Sequence, residues 1–95
     1  MMRLRSDLTA LCEAALDGKL DQIKAQWDPR PALGVVMAAG GYPGDYRKGD
    51  AISGLPAQEA ADAKVFHAGT LEKNGQIVTA GGRVLCACAL GDTCE

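Results

Sequence analysis

Two short stretches carry the residue types that chemistry at an anion would need. The first is GGYPGDYRKGD, Gly40 to Asp50, with four glycines, a proline, two tyrosines, an arginine and a lysine. A glycine-rich loop can turn successive backbone N–H groups toward a carboxylate or phosphate, and Arg47 and Lys48 would add positive charge. The same residues also suit a plain connection. In that case Gly40, Gly41 and Gly44 supply positive φ angles, while Tyr42 and Tyr46 cover the end of a sheet. The second stretch is AGGRVL, which sets Arg83 directly after Gly81 and Gly82. A guanidinium there can grip a phosphate or carboxylate with two N–H groups, or stand solvated or ion-paired. At this level both readings of each stretch stand.

Other candidates narrow quickly. His67, in FHAGT, is the one histidine of the chain; in a strand it is expected to be a hydrogen-bonded structural residue, since acid–base schemes need partners that are missing here. Cys86 and Cys88 alternate in RVLCACAL and so share one face of a strand, but zinc sites need a second pair or histidines nearby. A reduced, half-buried pair is the expectation for them, with Cys94 exposed near the end. No P-loop, G-x-G-x-x-G or H-E-x-x-H pattern occurs, and no carboxylate cluster of the kind that holds magnesium. No catalytic residue, cofactor site or metal site is assigned within the chain.

The elements that must position these residues follow from length and periodicity. Ninety-five residues fit one small domain with a modest core. Ten Lys and Arg are scattered among twelve Asp and Glu, for a net charge of −2. That balance argues against a nucleic-acid face, which requires clustered basic residues. There is no membrane-length apolar run and no leader-like segment after MMRLRSDL, so a cytoplasmic location is expected. In SDLTALCEAALDGKL the apolar residues Leu8, Leu11, Cys12, Ala15 and Leu16 form a helical stripe. Ser6 is the expected N-cap, Asp7 the first-turn acid and Gly18 the C′ residue. The following KLDQIKAQWDPRP, ending at Pro29 and Pro31, suits a short helix or a strand equally. ALGVVMAA, Ala32 to Ala39, reads as a buried strand and AISGL as a short one. PAQEAADA suits a loop or a single helical turn. KVFHAGTLEKNGQIVTAGGRVLCACALG is the strongest β signal, with Gly69–Lys73 and Gln76–Ala80 flanking Asn74-Gly75, a favoured type I′ turn pair, and about five short strands are expected in all. Gly81-Gly82 then reverses the chain into RVLCACAL, an interior strand. The expected class is α+β: an N-terminal helix followed by a small, mainly antiparallel sheet, barrel- or sandwich-like, with glycine-rich turns.

Read in order, SDL, AALDGKL, the tryptophan, GVVMAAGGYPGDYRKGD, VFHAGT, NGQIVTAGGRVL and ALGDT resemble the C-terminal domain of the phosphoribosylamine–glycine ligases, of the ATP-grasp superfamily. The resemblance runs over nearly the whole chain. It implies a part in purine synthesis. In that family ATP phosphorylates the glycine carboxylate, and the amine of 5-phosphoribosylamine attacks the acyl phosphate. It also implies that ATP and Mg2+ are held by domains absent here, and that the partners are the N-terminal and ATP-grasp domains of the same enzyme. Residues 1–95 would be its C-terminal domain, shortened at the end because the chain stops at GDTCE, where the family continues into a helix. Inactivity in isolation is expected. The resemblance makes Gly40, Gly41, Tyr42, Pro43, Gly44 and Arg83 the candidate substrate-facing residues, on glycine and 5-phosphoribosylamine. The CACALGDTCE ending departs from the Val and Thr usual in the family, which reads as local repacking. Two other readings remain, a structural packing module and a free-standing ligand- or protein-binding β-domain. Exposed apolar surface on the isolated chain would speak against the last.

Overall fold

The computed structural model describes all 95 residues, which divide into two compact units: Met1–Ala32 with Leu90–Glu95, and Leu33–Ala89.

In the first unit, α1 spans Leu8–Leu16. Its N-cap is Asp7 rather than Ser6: the Asp7 carboxylate accepts from the Thr9 amide at 2.9 Å. Ser6 is drawn elsewhere, its hydroxyl oxygen accepting from the Gln26 amide at 2.7 Å. Gly18 closes the helix at φ 65, as its C′ position requires. The predicted apolar stripe is not buried. Leu8, Cys12, Ala15 and Leu16 are exposed, and only Ala10, Leu11 and Ala14 are half-covered. A 3-10 turn at Leu20–Gln22 follows, and then Leu4 pairs with Trp27 in an isolated antiparallel bridge.

One carboxylate organises this unit. Asp28 is the single buried charged residue, 3% exposed. Its oxygens take the Arg5 guanidinium at 2.8 Å, the Arg30 guanidinium at 2.9 Å and the Arg30 amide at 2.9 Å. Its backbone carbonyl accepts from Arg3 Nε at 3.0 Å. The hydrogen bonds from Arg30 first, and from Arg5 second, hold this carboxyl well below the usual carboxylate range.

The second unit carries two sheets. β1 (Ala32–Ala38), β5 (Arg83–Leu90) and β2 (Ala63–His67) form one, in the order β1-β5-β2. β2 runs antiparallel to β5, with Val65 opposite Ala87. At the ends of β1, Ala39 N–H donates to Gly82 O and Gly91 N–H to Pro31 O, which sets β1 and β5 in opposite senses. The second sheet is the hairpin β3 (Thr70–Lys73) and β4 (Gln76–Thr79). Asn74 and Gly75 take φ 51 and φ 76, the pair of positive angles a type I′ turn demands. The architecture is α+β with antiparallel sheets, and neither sheet closes into a barrel.

Two strand expectations are corrected. AISGL forms no strand: Gly49 and Ile52 donate to Thr79 O and Ile77 O, Ala51 bridges Val78, and Gly54 at φ 75 then turns the chain away. β1 exists, but all seven of its residues are exposed rather than buried. The interior is small: Val78, Val84 and Leu85 are its buried apolar side chains. The central strand β5 supplies two of them, as expected of an interior strand. Leu33, Val35, Val36 and Met37 of β1 are each more than half exposed.

Candidate functional site

The glycine-rich loop leaves β1 and folds back on the Gly81–Gly82 corner. Ala39 N–H donates to Gly82 O at 2.8 Å, and Tyr42 N–H to Ala39 O at 3.1 Å. Gly41, at φ 94, is the residue of the Gly40–Gly44 segment that needs the left-handed region; Gly40 and Gly44 do not, contrary to the sequence expectation. Tyr42-Pro43 is a cis peptide. The amides of Gly40, Gly41 and Gly44 make no hydrogen bond within the chain. The Tyr42 and Tyr46 rings stand 6.2 Å apart, tilted by 59°. Both press on Gly82, which is buried: a Cβ there would come within 2.2 Å of Tyr42 Cδ2 and 3.1 Å of Tyr46 Cε1. The tyrosines therefore do cover a sheet end, and that end is the residue before Arg83.

Arg83 begins β5. Its carbonyl accepts from Gly69 N–H at 2.8 Å, while its side chain is exposed and has no ion-pair or hydrogen-bond partner. It lies along an open groove of about 630 Å³ with Tyr42, Gly82, Val36, Ala68 and Gly69. Of the expected site residues the fold thus gathers Tyr42 and Arg83 on one groove. Gly40, Gly41, Pro43 and Gly44 belong to the loop behind Tyr42 and do not line it. The two other loop cations are engaged locally: Arg47 pairs with Asp50 at 2.8 Å, and Lys48 sits 5.8 Å above the Tyr46 ring. An unpaired guanidinium on an open groove beside Tyr42 can hold one end of an anionic ligand.

Gly69 was not singled out in the sequence. A Cβ on it would come within 2.6 Å of Arg83 O and 2.7 Å of Gly81 Cα. The signal was the glycine in HAGT, but its partner Gly81 is remote in sequence. His67 is exposed and shares a 2.9 Å hydrogen bond with Thr70 Oγ1. It lines a different groove, of about 660 Å³, between the sheet and the 55–60 loop. Lys64 pairs with Glu59 at that groove and lies 5.5 Å above Phe66.

Cys86 and Cys88 share a face with their sulfurs 3.5 Å apart, half-buried and free. The hydrogen bond with Cys86, and then burial, push the Cys88 thiol up from its ordinary value. A protonated thiol is a poor nucleophile and ligand. No group of three or more His, Cys, Asp or Glu gathers anywhere to hold a metal ion. No helix is long and apolar enough to cross a membrane.

Comparison with known proteins bears on this geometry. Residues 32–95 match the family model described as phosphoribosylglycinamide synthetase, C domain. Over 93 residues the chain is 68% identical to a phosphoribosylamine–glycine ligase of Vibrio cholerae, covering 98% of this chain and 22% of that protein. Over 94 residues it is 65% identical to the enzyme of the same name from Escherichia coli, with the same coverage. A crystal structure of phosphoribosylamine–glycine ligase from Thermotoga maritima superposes with a TM-score of 0.65 at 40% identity, over 90% of this chain and 21% of that one. The chain thus spans about a fifth of the length of the relatives it matches.

Proposed function

This chain belongs to the phosphoribosylglycinamide synthetase C-domain family, and from that premise we propose that it serves as the substrate-facing C-terminal domain of a phosphoribosylamine–glycine ligase. The reaction is the ligation of glycine to 5-phosphoribosylamine in purine biosynthesis, with ATP consumed to ADP and phosphate, in the cytoplasm. In this reading the nucleotide and magnesium are held by ATP-grasp domains of the full-length enzyme. The chain alone is then inactive, and its partners are the other domains of the same enzyme. The exposed β1 residues suit such a packed role better than a free-standing domain.

The observation that carries the reading is the unpaired Arg83 guanidinium on a groove walled by Tyr42. A phosphate dianion fits its two-pronged donor set, and the free amides of Gly40, Gly41 and Gly44 suit a carboxylate at the loop. Arg83→Glu in the full-length ligase is expected to raise KM for 5-phosphoribosylamine at least tenfold, by replacing a roughly 1.5–3 kcal/mol charged hydrogen bond with repulsion. An unchanged KM removes Arg83 from the site. A pure packing role is the second reading, favoured by the pressing of both tyrosines on Gly82. It predicts a loss of stability with no selective change in KM.

A further inference from the structure

Arg83 is held from two sides. Its carbonyl is fixed by Gly69 N–H. The residue before it, Gly82, is fixed by the Tyr42 ring lying in contact with its Cα and by the Ala39 amide on its carbonyl. A glycine without such a lid would have the widest backbone freedom of any residue, and the side chain that follows it would inherit that freedom. Gly41 makes the lid possible: its positive φ turns the loop so that Tyr42 comes back over the corner, and a Cβ there would collide with the Asp45 carbonyl. Tyr46 backs the assembly at 3.1 Å from the Gly82 Cβ direction. The Tyr42 hydroxyl makes no hydrogen bond within the chain, so the ring rather than the hydroxyl does the holding.

We infer that Tyr42 is a positioning residue for Arg83: the GGYPGDY loop sets the aim of the guanidinium toward the phosphate end of the substrate by clamping Gly82. This rests on the assignment of Arg83 to the phosphate made above. An aim set by packing is worth having because a displacement of about 1 Å in a charged contact can cost as much as 100-fold in rate. Tyr42 then acts on the phosphate end of the substrate through Arg83.

The test uses the full-length ligase and compares Arg83→Ala, Tyr42→Ala, Tyr42→Phe and the Arg83→Ala/Tyr42→Ala double variant, with KM for 5-phosphoribosylamine and for glycine, kcat and Tm measured for each. Tyr42→Ala is expected to raise KM for the phosphorylated amine about tenfold. Tyr42→Phe keeps the ring and is expected to recover most of that loss. In the Arg83→Ala background Tyr42→Ala adds nothing further to KM, although Tm still falls. If Arg83→Ala leaves KM unchanged, the phosphate assignment fails and the positioning role falls with it. If Arg83→Ala raises KM but Tyr42→Ala does not, the positioning role alone is overturned. Additive effects in the double variant, or a Phe variant as damaged as the Ala variant, also overturn it.

Discussion

At Gly34 a single added methyl would sit 3.1 Å from the sulfurs of both Cys86 and Cys88, well inside ordinary carbon–sulfur contact. Gly34→Ala is therefore expected to cost about 1–3 kcal/mol of stability by overpacking. Removing either thiol, as in Gly34→Ala/Cys86→Ala, should return part of that loss. Chemical denaturation of the four variants of this cycle checks it, and strict additivity would mean that the sulfurs are not the obstacle. Asp28 yields a pH prediction. Its folded pKa is depressed, so its stabilising pairs with Arg5 and Arg30 are fully present above the ordinary carboxylate range. They are lost progressively as pH falls below about 4, toward the folded value. Asp28→Asn should be less stable at neutral pH and flatter in its acid profile; equal acid midpoints for both proteins would contradict this. The shared face of Cys86 and Cys88 was legible from strand alternation alone. Gly34's duty was not, because it is set by a neighbour across the sheet. Nor was Asp28's, since two of the arginines come from a segment 23 to 25 residues earlier.

The hairpin of β3 and β4 hangs on two positive φ angles, at Asn74 and Gly75. Gly75→Ala should destabilise the unit by about 1 kcal/mol or more, whereas Asn74→Gly should be nearly neutral. Amide exchange of the Leu71–Val78 pair reads this directly, and unchanged protection in Gly75→Ala would show that the turn does not set the register. Sequence reading succeeded at this hairpin because an Asn-Gly pair between alternating residues specifies both turn and register locally. It failed at AISGL, where apolar content suggested a strand. There Gly49 to Ile52 pair with β4 and Gly54 ends the run, both consequences of tertiary placement. It failed in a different way at β1. The strand was recognised, but its apolar residues were read as buried, and nothing in these 95 residues covers them. In α1 the stripe residues Leu8, Cys12, Ala15 and Leu16 are likewise solvent-facing.

Across the whole molecule, the large apolar side chains left exposed include Leu33, Val35, Val36 and Met37 of β1, and the chain spans 22% of the length of the Vibrio cholerae relative. The isolated 95-residue protein is expected to bind hydrophobic dye and to self-associate with rising concentration. Val35→Lys should reduce both while changing Tm little, since Val35 is 57% exposed. A monomeric, dye-silent parent would count against the packed role. At this scale the sequence was most informative through its ordered motifs, which pointed to the family. What it withheld was the meeting of Tyr42 with Gly82, forty residues apart, because no local pattern encodes which backbone a ring will rest on. That meeting also constrains how such proteins can be recombined. A chimera that takes the tyrosine loop from one relative and the glycine corner from another will tolerate the crossover only if both halves keep ring and glycine as a pair. Libraries randomised at residue 82 alone should return glycine almost exclusively, and those randomised at 42 and 82 together should reopen the choice.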